Sequence, residues 1–120
     1  MVGIDILETE RITLDDAFIN KIANPSEVEY IKKSCCESLQ RQRLTALFCV
    51  KEAVMKALEM GQNSGVVFKD ILLKHKDSGK PYVELYGKAL EKYNSSFAGK
   101  KIEVSISHTE KYATAIAVLI

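Results

Sequence analysis

Net charge is nearly absent from this chain: 17 lysines and arginines meet 16 acids, which leaves +1 with neutral histidines. A balance of that kind makes no global field to draw nucleic acid or an anionic membrane, and neither is expected as a partner. Long apolar runs are missing too. No stretch reaches the ~18 residues that a membrane-spanning helix needs, and Asp5 and Glu8 interrupt the start where a signal peptide would need apolar continuity. The three cysteines, Cys35, Cys36 and Cys49, have no metal-ligand spacing, and the adjacent Cys35 and Cys36 are poor partners for an unstrained bridge. There is no repeat, linker or low-complexity tract. What remains is one domain of 120 residues with an ordinary 47% hydrophobic content, expected in a reducing cytoplasm.

What charge there is lies unevenly. Residues 1–24 hold five acids against Arg11 and Lys21, a balance of −3, whereas residues 44–80 hold six lysines against four acids, a balance of +2. The second region contains the most unusual segment, a predicted helix from Leu44 to Glu59. Projected at 100° per residue, Val50, Val54, Leu47, Leu58, Leu44, Met55 and Phe48 fill one broad arc. Ala46, Ala53 and Ala57 lie roughly opposite, small enough for another element to approach closely. Only Thr45, Glu52, Lys56 and Glu59 form a polar stripe, and Lys51 falls inside the apolar arc. Charges on a helix buried on most sides need partners. Either they are satisfied structurally, as a Glu52–Lys56 pair at i and i+4 and a snorkelling Lys51 would be, or they line a cleft for a charged ligand.

The rest of the chain supplies the frame. Val2 to Leu7 reads as a strand. A short helix covers Leu14 to Ile22, with Asp15 and Asp16 at its N-terminus. Ser26 and Glu29 have capping-box spacing and open a helix to about Lys33; Ser34 to Ser38 interrupts it before the long helix, Leu39 to Met60, which Gly61 is placed to cap. Ile71 to Lys76 and Tyr82 to Tyr86 are strands joined through Asp77 to Pro81 as a hairpin. Lys88 to Tyr93 is a short helix, Ile102 to His108 an alternating strand, Thr109 to Tyr112 a turn, and Ala113 to Ile120 a last apolar strand. The order β-α-α-β-β-α-β-β predicts a single α+β domain over residues 1–120, a mainly antiparallel sheet packed on the long helix.

Several residues could carry chemistry. Mg2+ is held by one or two carboxylates, with phosphate oxygens and water completing its shell. Glu52 therefore needs a second acid, and Asp5, set inside the apolar strand Gly3-Ile4-Asp5-Ile6, is the best candidate; an exposed edge-strand position is the plain alternative. Gly3 permits close backbone approach. His108 shares the parity of Ile102, Val104 and Ile106, so it is either a hydrogen-bonded core residue or, with Ser107 and Thr109, a phosphate contact. Gly79-Lys80-Pro81 is a turn whose lysine could also reach a phosphate.

Taken in order, Gly3-Ile4-Asp5-Ile6, Glu10-Arg11-Ile12, the stretch Phe48-x-x-Lys51-Glu52-Ala53-x-x-Lys56-Ala57-Leu58, Gly79-Lys80-Pro81 and Ser105-Ile106-Ser107-His108-Thr109 resemble the 4′-phosphopantetheinyl transferases, the short bacterial holo-[acyl-carrier-protein] synthases in particular. The resemblance covers essentially the whole chain. It implies transfer of phosphopantetheine from coenzyme A to a serine of an acyl carrier protein in support of fatty acid biosynthesis, with release of adenosine 3′,5′-bisphosphate. By motif, Asp5 and Glu52 would hold Mg2+, and Glu52 and Lys56 would be catalytic, Lys56 meeting the diphosphate. Lys51, Lys56, Lys80, Pro81, Ser107 and His108 would bind coenzyme A; Arg11 and Lys21 would dock the carrier. Proton removal falls to Glu52 or to water on the metal.

The chain also departs from the family. Ala46-Leu47 stands where many relatives have Gly-Arg, residues 59–65 replace a Gly-Thr-Gly-like loop, and Thr13 to Asn24 lacks the usual arginines. Lys32, Lys33, Arg41 and Arg43 are the other bases available for docking. The resemblance further implies a homotrimer with coenzyme A in clefts between neighbours. A small domain with a helix apolar over more arc than one sheet can cover fits that expectation. Interface candidates are Ile116, Val118 and Ile120 or, on the other face of that strand, Ala115, Ala117 and Leu119.

Overall fold

The long helix organises everything around it. In the computed structural model, which describes residues 1–61 and 63–120, the elements are β1 (Val2–Glu8), a 3-10 turn (Thr9–Arg11), α1 (Asp16–Ile22), α2 (Pro25–Lys32), α3 (Glu37–Ala57), a second 3-10 turn (Phe68–Asp70), β2 (Ile71–His75), β3 (Pro81–Leu85), α4 (Gly87–Ser96), β4 (Ile102–His108) and β5 (Tyr112–Leu119). Gln62, in the loop 59–65, lies outside the described residues. The α+β class is as expected, and the interruption at Ser34 to Ser38 makes three helices between the first strands, one more than the order β-α-α-β counts.

The strands form a three-stranded antiparallel sheet ordered β1-β5-β4 and a separate β2-β3 hairpin. In the sheet, Asp5 and Ile106 both face Ala115 across their ladders. Alternation then sorts the residues. Gly3, Asp5, Leu7, Val104, Ile106, Ala113, Ala115 and Ala117 turn toward α3, whereas Val2, Ile4, Ile6 and Ile116 turn outward and are exposed. Small residues bring strand and helix together: a methyl group on Gly3 would overlap the Ala53 carbonyl and the Ala57 amide. Leu44, Val50, Val54 and Leu58 of the helix region are fully buried, with Ile22, Ile31 and Ile71 in the same core.

Among the helix ends that differ from the sequence reading, two have a clear local cause. α2 opens at Asn24, with Pro25 at the first helical position and Glu27, not Glu29, at N3; the Glu27 carboxylate accepts from the Asn24 amide at 2.8 Å. Proline is preorganised for that first position, so the start lies two residues earlier than Ser26 suggests. α3 ends before Gly61. Glu59 takes the left-handed conformation at φ 58°, with Glu59 N–H donating to Lys56 O and Met60 N–H to Met55 O. That is the Schellman bond pattern, here with glutamate where glycine is favoured.

Candidate active site

At one edge of the sheet, β1 places Asp5 against α3, half-buried, beside Glu52 and Lys56. Lys56 Nζ donates to Ile4 O at 2.9 Å and meets Asp5 Oδ1 at 3.2 Å, and its side chain remains 53% exposed. The expected Glu52–Lys56 pair is thus replaced by Lys56–Asp5. Burial, and then the charge of Asp5, raise the pKa of Glu52, with Lys56 opposing. Cys49 lies beneath them: burial and Asp5 push its thiol up to about 12, so it is a neutral floor. The edge therefore holds two carboxylates that repel each other and a lysine with a free side. Among the described residues no group of three or more His, Cys, Asp or Glu could hold a metal. A carboxylate pair alone suits a cation that takes its remaining oxygens from phosphate and water, as Mg2+ does.

Lys51 corrects an expectation. Its side chain is 0% exposed, and Nζ donates to Glu27 Oε1 at 2.8 Å and to Ile22 O at 2.7 Å. The other Glu27 oxygen accepts from Leu73 N–H at 2.7 Å. Lys51 does not snorkel, and its ammonium is enclosed by these partners rather than presented to a ligand such as coenzyme A: it ties the end of α1, the start of α2, β2 and α3 together. Burial lowers its pKa, and Glu27 opposes that. Thr45, expected in the polar stripe, is also fully buried and donates to Arg41 O at 2.7 Å.

At the opposite edge, β4 and the hairpin enclose a cleft of about 490 Å3 against α2 and α3. Pro81, Gly79 and His108 line it, with Tyr30 and His75, which were not legible as site residues, and Arg43, which the sequence offered only as a base for docking. His108 Nδ1 pairs with Gln42 Oε1 at 2.8 Å. With the amide oxygen as acceptor, Nδ1 carries the proton and Nε2 is left for a ligand. Ser107 is exposed on the outward face, since adjacent strand residues point apart, so it does not join His108 in this cleft. Lys80 pairs with Glu103 at 3.1 Å, and its stem is half-exposed. Arg11, in the 3-10 turn, and Lys21, in the last turn of α1, are both exposed.

The two regions lie on different sides of one helix. Arg43 and Glu52 are nine residues apart, which at ~100° each amounts to about half a turn beyond two full turns. Asp5 and Ile106 are likewise separated by β5, about 10 Å across two strand spacings.

Known proteins resemble the chain along its whole length. Residues 1–117 match the model of the 4′-phosphopantetheinyl transferase superfamily. The chain is 35% identical to the holo-[acyl-carrier-protein] synthase of Koribacter versatilis, over 98% of this chain and 94% of that one, and 39% identical to that of Ruminiclostridium cellulolyticum, over 99% and 90%. Among solved structures, the Bacillus anthracis synthase in complex with CoA (3′,5′-ADP) superposes with a TM-score of 0.81 at 30% identity, covering 98% of this chain and 93% of that one. The Helicobacter pylori synthase in complex with coenzyme A gives 0.81 at 26%, with each chain covered completely. With the family model matched over residues 1–117 and relatives 35% and 39% identical over nearly its whole length, the chain belongs to the 4′-phosphopantetheinyl transferase superfamily.

Proposed function

We propose that the protein transfers 4′-phosphopantetheine from coenzyme A to a serine of an apo-acyl carrier protein, in a Mg2+-dependent reaction that releases adenosine 3′,5′-bisphosphate and serves fatty acid biosynthesis. The observation that carries the reading is the half-buried Asp5–Glu52 pair with Lys56 at its rim. Like charges forced together by the Gly3–Ala53 contact make sense where a cation and a diphosphate belong. Asp5 and Glu52 would hold Mg2+, which when bound supplies positive charge to the diphosphate. Lys56 turns from Ile4 O to donate to a diphosphate oxygen. As the serine oxygen bonds to the β-phosphorus, the bond from that phosphorus to the bridging oxygen breaks, and the nucleotide leaves with the bridging oxygen. Burial and Asp5 raise the Glu52 pKa from its ordinary value, and Glu52 or a water beside it would take the serine proton. Such a reaction needs mainly positioning and charge neutralisation.

The assembly in this reading is a homotrimer. One coenzyme A cannot wrap α3 to reach both sheet edges of a single copy, but a head-to-tail ring sets the β1 edge of one copy against the β4 cleft of the next. Exposed Val2, Ile4, Ile6 and Ile116 give that ring an apolar surface to cover. Of the two interface sets, Ile116, Val118 and the exposed Ile120 are available; Ala115, Ala117 and Leu119 are occupied by the core. The carrier docks on exposed Arg11 and Lys21. The setting is the cytoplasm, consistent with three free cysteines; among the described residues no helix is long and apolar enough to cross a membrane.

Incubation with apo-carrier protein, coenzyme A and Mg2+, read by intact mass, tests the chemistry. The expected result is a carrier heavier by one phosphopantetheine. Coenzyme A binding without that gain would instead make the chain a nucleotide-binding module. Light scattering after size exclusion tests the ring, and an active monomer of 13.4 kDa would exclude it.

A further inference from the structure

Arg43, Tyr30 and His75 come from α3, α2 and β2 and meet in the cleft as a stack. The Arg43 guanidinium lies 4.5 Å from the centroid of the Tyr30 ring, whose other neighbour is His75, with ring centroids 4.9 Å apart and planes tilted by 31°. Arg43 Nη1 donates to Tyr30 O at 2.9 Å. A guanidinium has five N–H donors, and among the described residues Arg43 has no acidic partner, so most of its donors are uncommitted. The one acid lining the cleft, Glu27, is buried and neutralised by Lys51. Leu47, one helical turn beyond Arg43, is buried and apolar and brings no charge. Lys74 also lines the cleft but pairs with Glu84 at 2.7 Å, so Arg43, braced by an aromatic ring, is the cation there without an acidic partner among the described residues.

A braced, unpaired arginine in a cleft suits an anion that offers two oxygens to its planar fork, as a phosphate does. Coenzyme A carries phosphate in two places. On the reading above, its diphosphate belongs to the Asp5–Glu52–Lys56 edge, which faces away from Arg43 around the helix. The anion left for this cleft is the one on the ribose.

We propose that Arg43, braced on Tyr30 beside His75, grips the ribose 3′-phosphate of coenzyme A and sets this chain's preference for ligands that carry it. This inference rests on the coenzyme A reading. Arg43 also holds a carbonyl in the last turn of α2, so a purely structural role must be separable from a binding one.

The experiment is calorimetric titration of the assembled protein, in excess Mg2+, with coenzyme A and with 3′-dephospho-coenzyme A. Wild type should prefer coenzyme A by about tenfold or more, the size of a charge-assisted contact. Arg43→Gln should weaken coenzyme A to near the dephospho ligand while leaving the latter within about threefold of wild type. Arg43→Lys, which keeps the charge and is the safer variant for folding, should retain part of the preference. Equal weakening of both ligands by either variant would overturn the proposal in favour of a structural arginine, as would a wild type that binds both ligands alike. A wild type that binds neither ligand would overturn the coenzyme A reading itself and this inference with it.

Discussion

The Lys51–Glu27 junction and the Lys56–Asp5–Glu52 edge are both lysine–carboxylate groupings on α3, five residues apart, yet protein atoms satisfy them very differently. At the junction every partner is internal: Lys51 is fully buried, and both Glu27 oxygens accept bonds from protein donors. At the edge, one lysine with an exposed side chain faces two carboxylates, and the charge of Asp5 works against that of Glu52. A saturated grouping has nothing to offer a ligand and fixes geometry. An unsaturated one is incomplete until a cation and an anion arrive. Residue type and local spacing do not distinguish them; partners and water do.

The largest effect should come from breaking the saturated one. Lys51→Met leaves the buried Glu27 carboxylate with its two backbone donors but without its counter-charge, and should cost about 3–5 kcal/mol of stability. Adding Glu27→Gln removes the stranded charge but keeps only one of the two acceptor oxygens, leaving an NH2 against either the Asn24 or the Leu73 N–H, so the double variant should recover only part of the loss. Chemical denaturation checks this, and additive losses would mean the two do not act as a pair.

That junction also shows where sequence reading stops. Asp5, Glu52 and Lys56 are legible because each is a charge inside an apolar run, and Gly3 with Ala53 announces the close approach that joins them. The partner of Lys51 is hidden, since Ser26 and Glu29 also have capping-box spacing and draw attention away from Glu27. The preference of Pro25 for the first helical position decides between the two boxes. The cleft is harder still. Tyr30, Arg43 and His75 belong to three elements, and nothing local says that they meet. Gln42 behind His108 is equally silent, as a polar residue on an amphipathic helix. Fold class was legible because alternation and helical periodicity are local, whereas the break between α2 and α3 had only weak signals.

Next in size is the unsaturated edge. Asp5→Asn or Glu52→Gln should each lower turnover by about 10²–10³-fold, the range for losing one charge-stabilising group. Lys56→Ala should fall in the same range, acting on kcat more than on coenzyme A affinity. Stability should move the other way from Lys51→Met: none of the three should lower the melting temperature appreciably. A large loss of stability in Glu52→Gln would turn the edge into a second structural junction.

A smaller effect is set by pH. The Glu52 pKa is raised above its ordinary 4.5 in the folded protein, so between that value and the folded one the native state holds more protons than the unfolded state. Stability from this group is therefore present at low pH and is lost as pH rises through the folded pKa. Glu52→Gln should flatten that slope. Protons compete with the cation for the same carboxylate, so Mg2+ affinity should fall on acidification at a higher pH than for an ordinary glutamate. Denaturation against pH checks the first sign and titration of Mg2+ binding against pH the second, with Glu59→Gln as a surface control in both.

The smallest effect lies at the end of the helix that carries both groupings. Glu59 occupies the left-handed position of the Schellman turn at φ 58°, where a Cβ costs about 1–2 kcal/mol. Its side chain is exposed and makes no salt bridge among the described residues, so little is lost by removing it. Glycine adopts that conformation freely but also adds freedom to the unfolded chain, which cancels part of the gain. Glu59→Gly should therefore stabilise the protein by about 0.5–1 kcal/mol, and Glu59→Ala, which keeps the Cβ, should not. Equal stability of all three in denaturant titrations would mean that the turn carries no strain and that α3 is held at this end by Lys56 and Met55 accepting their bonds alone.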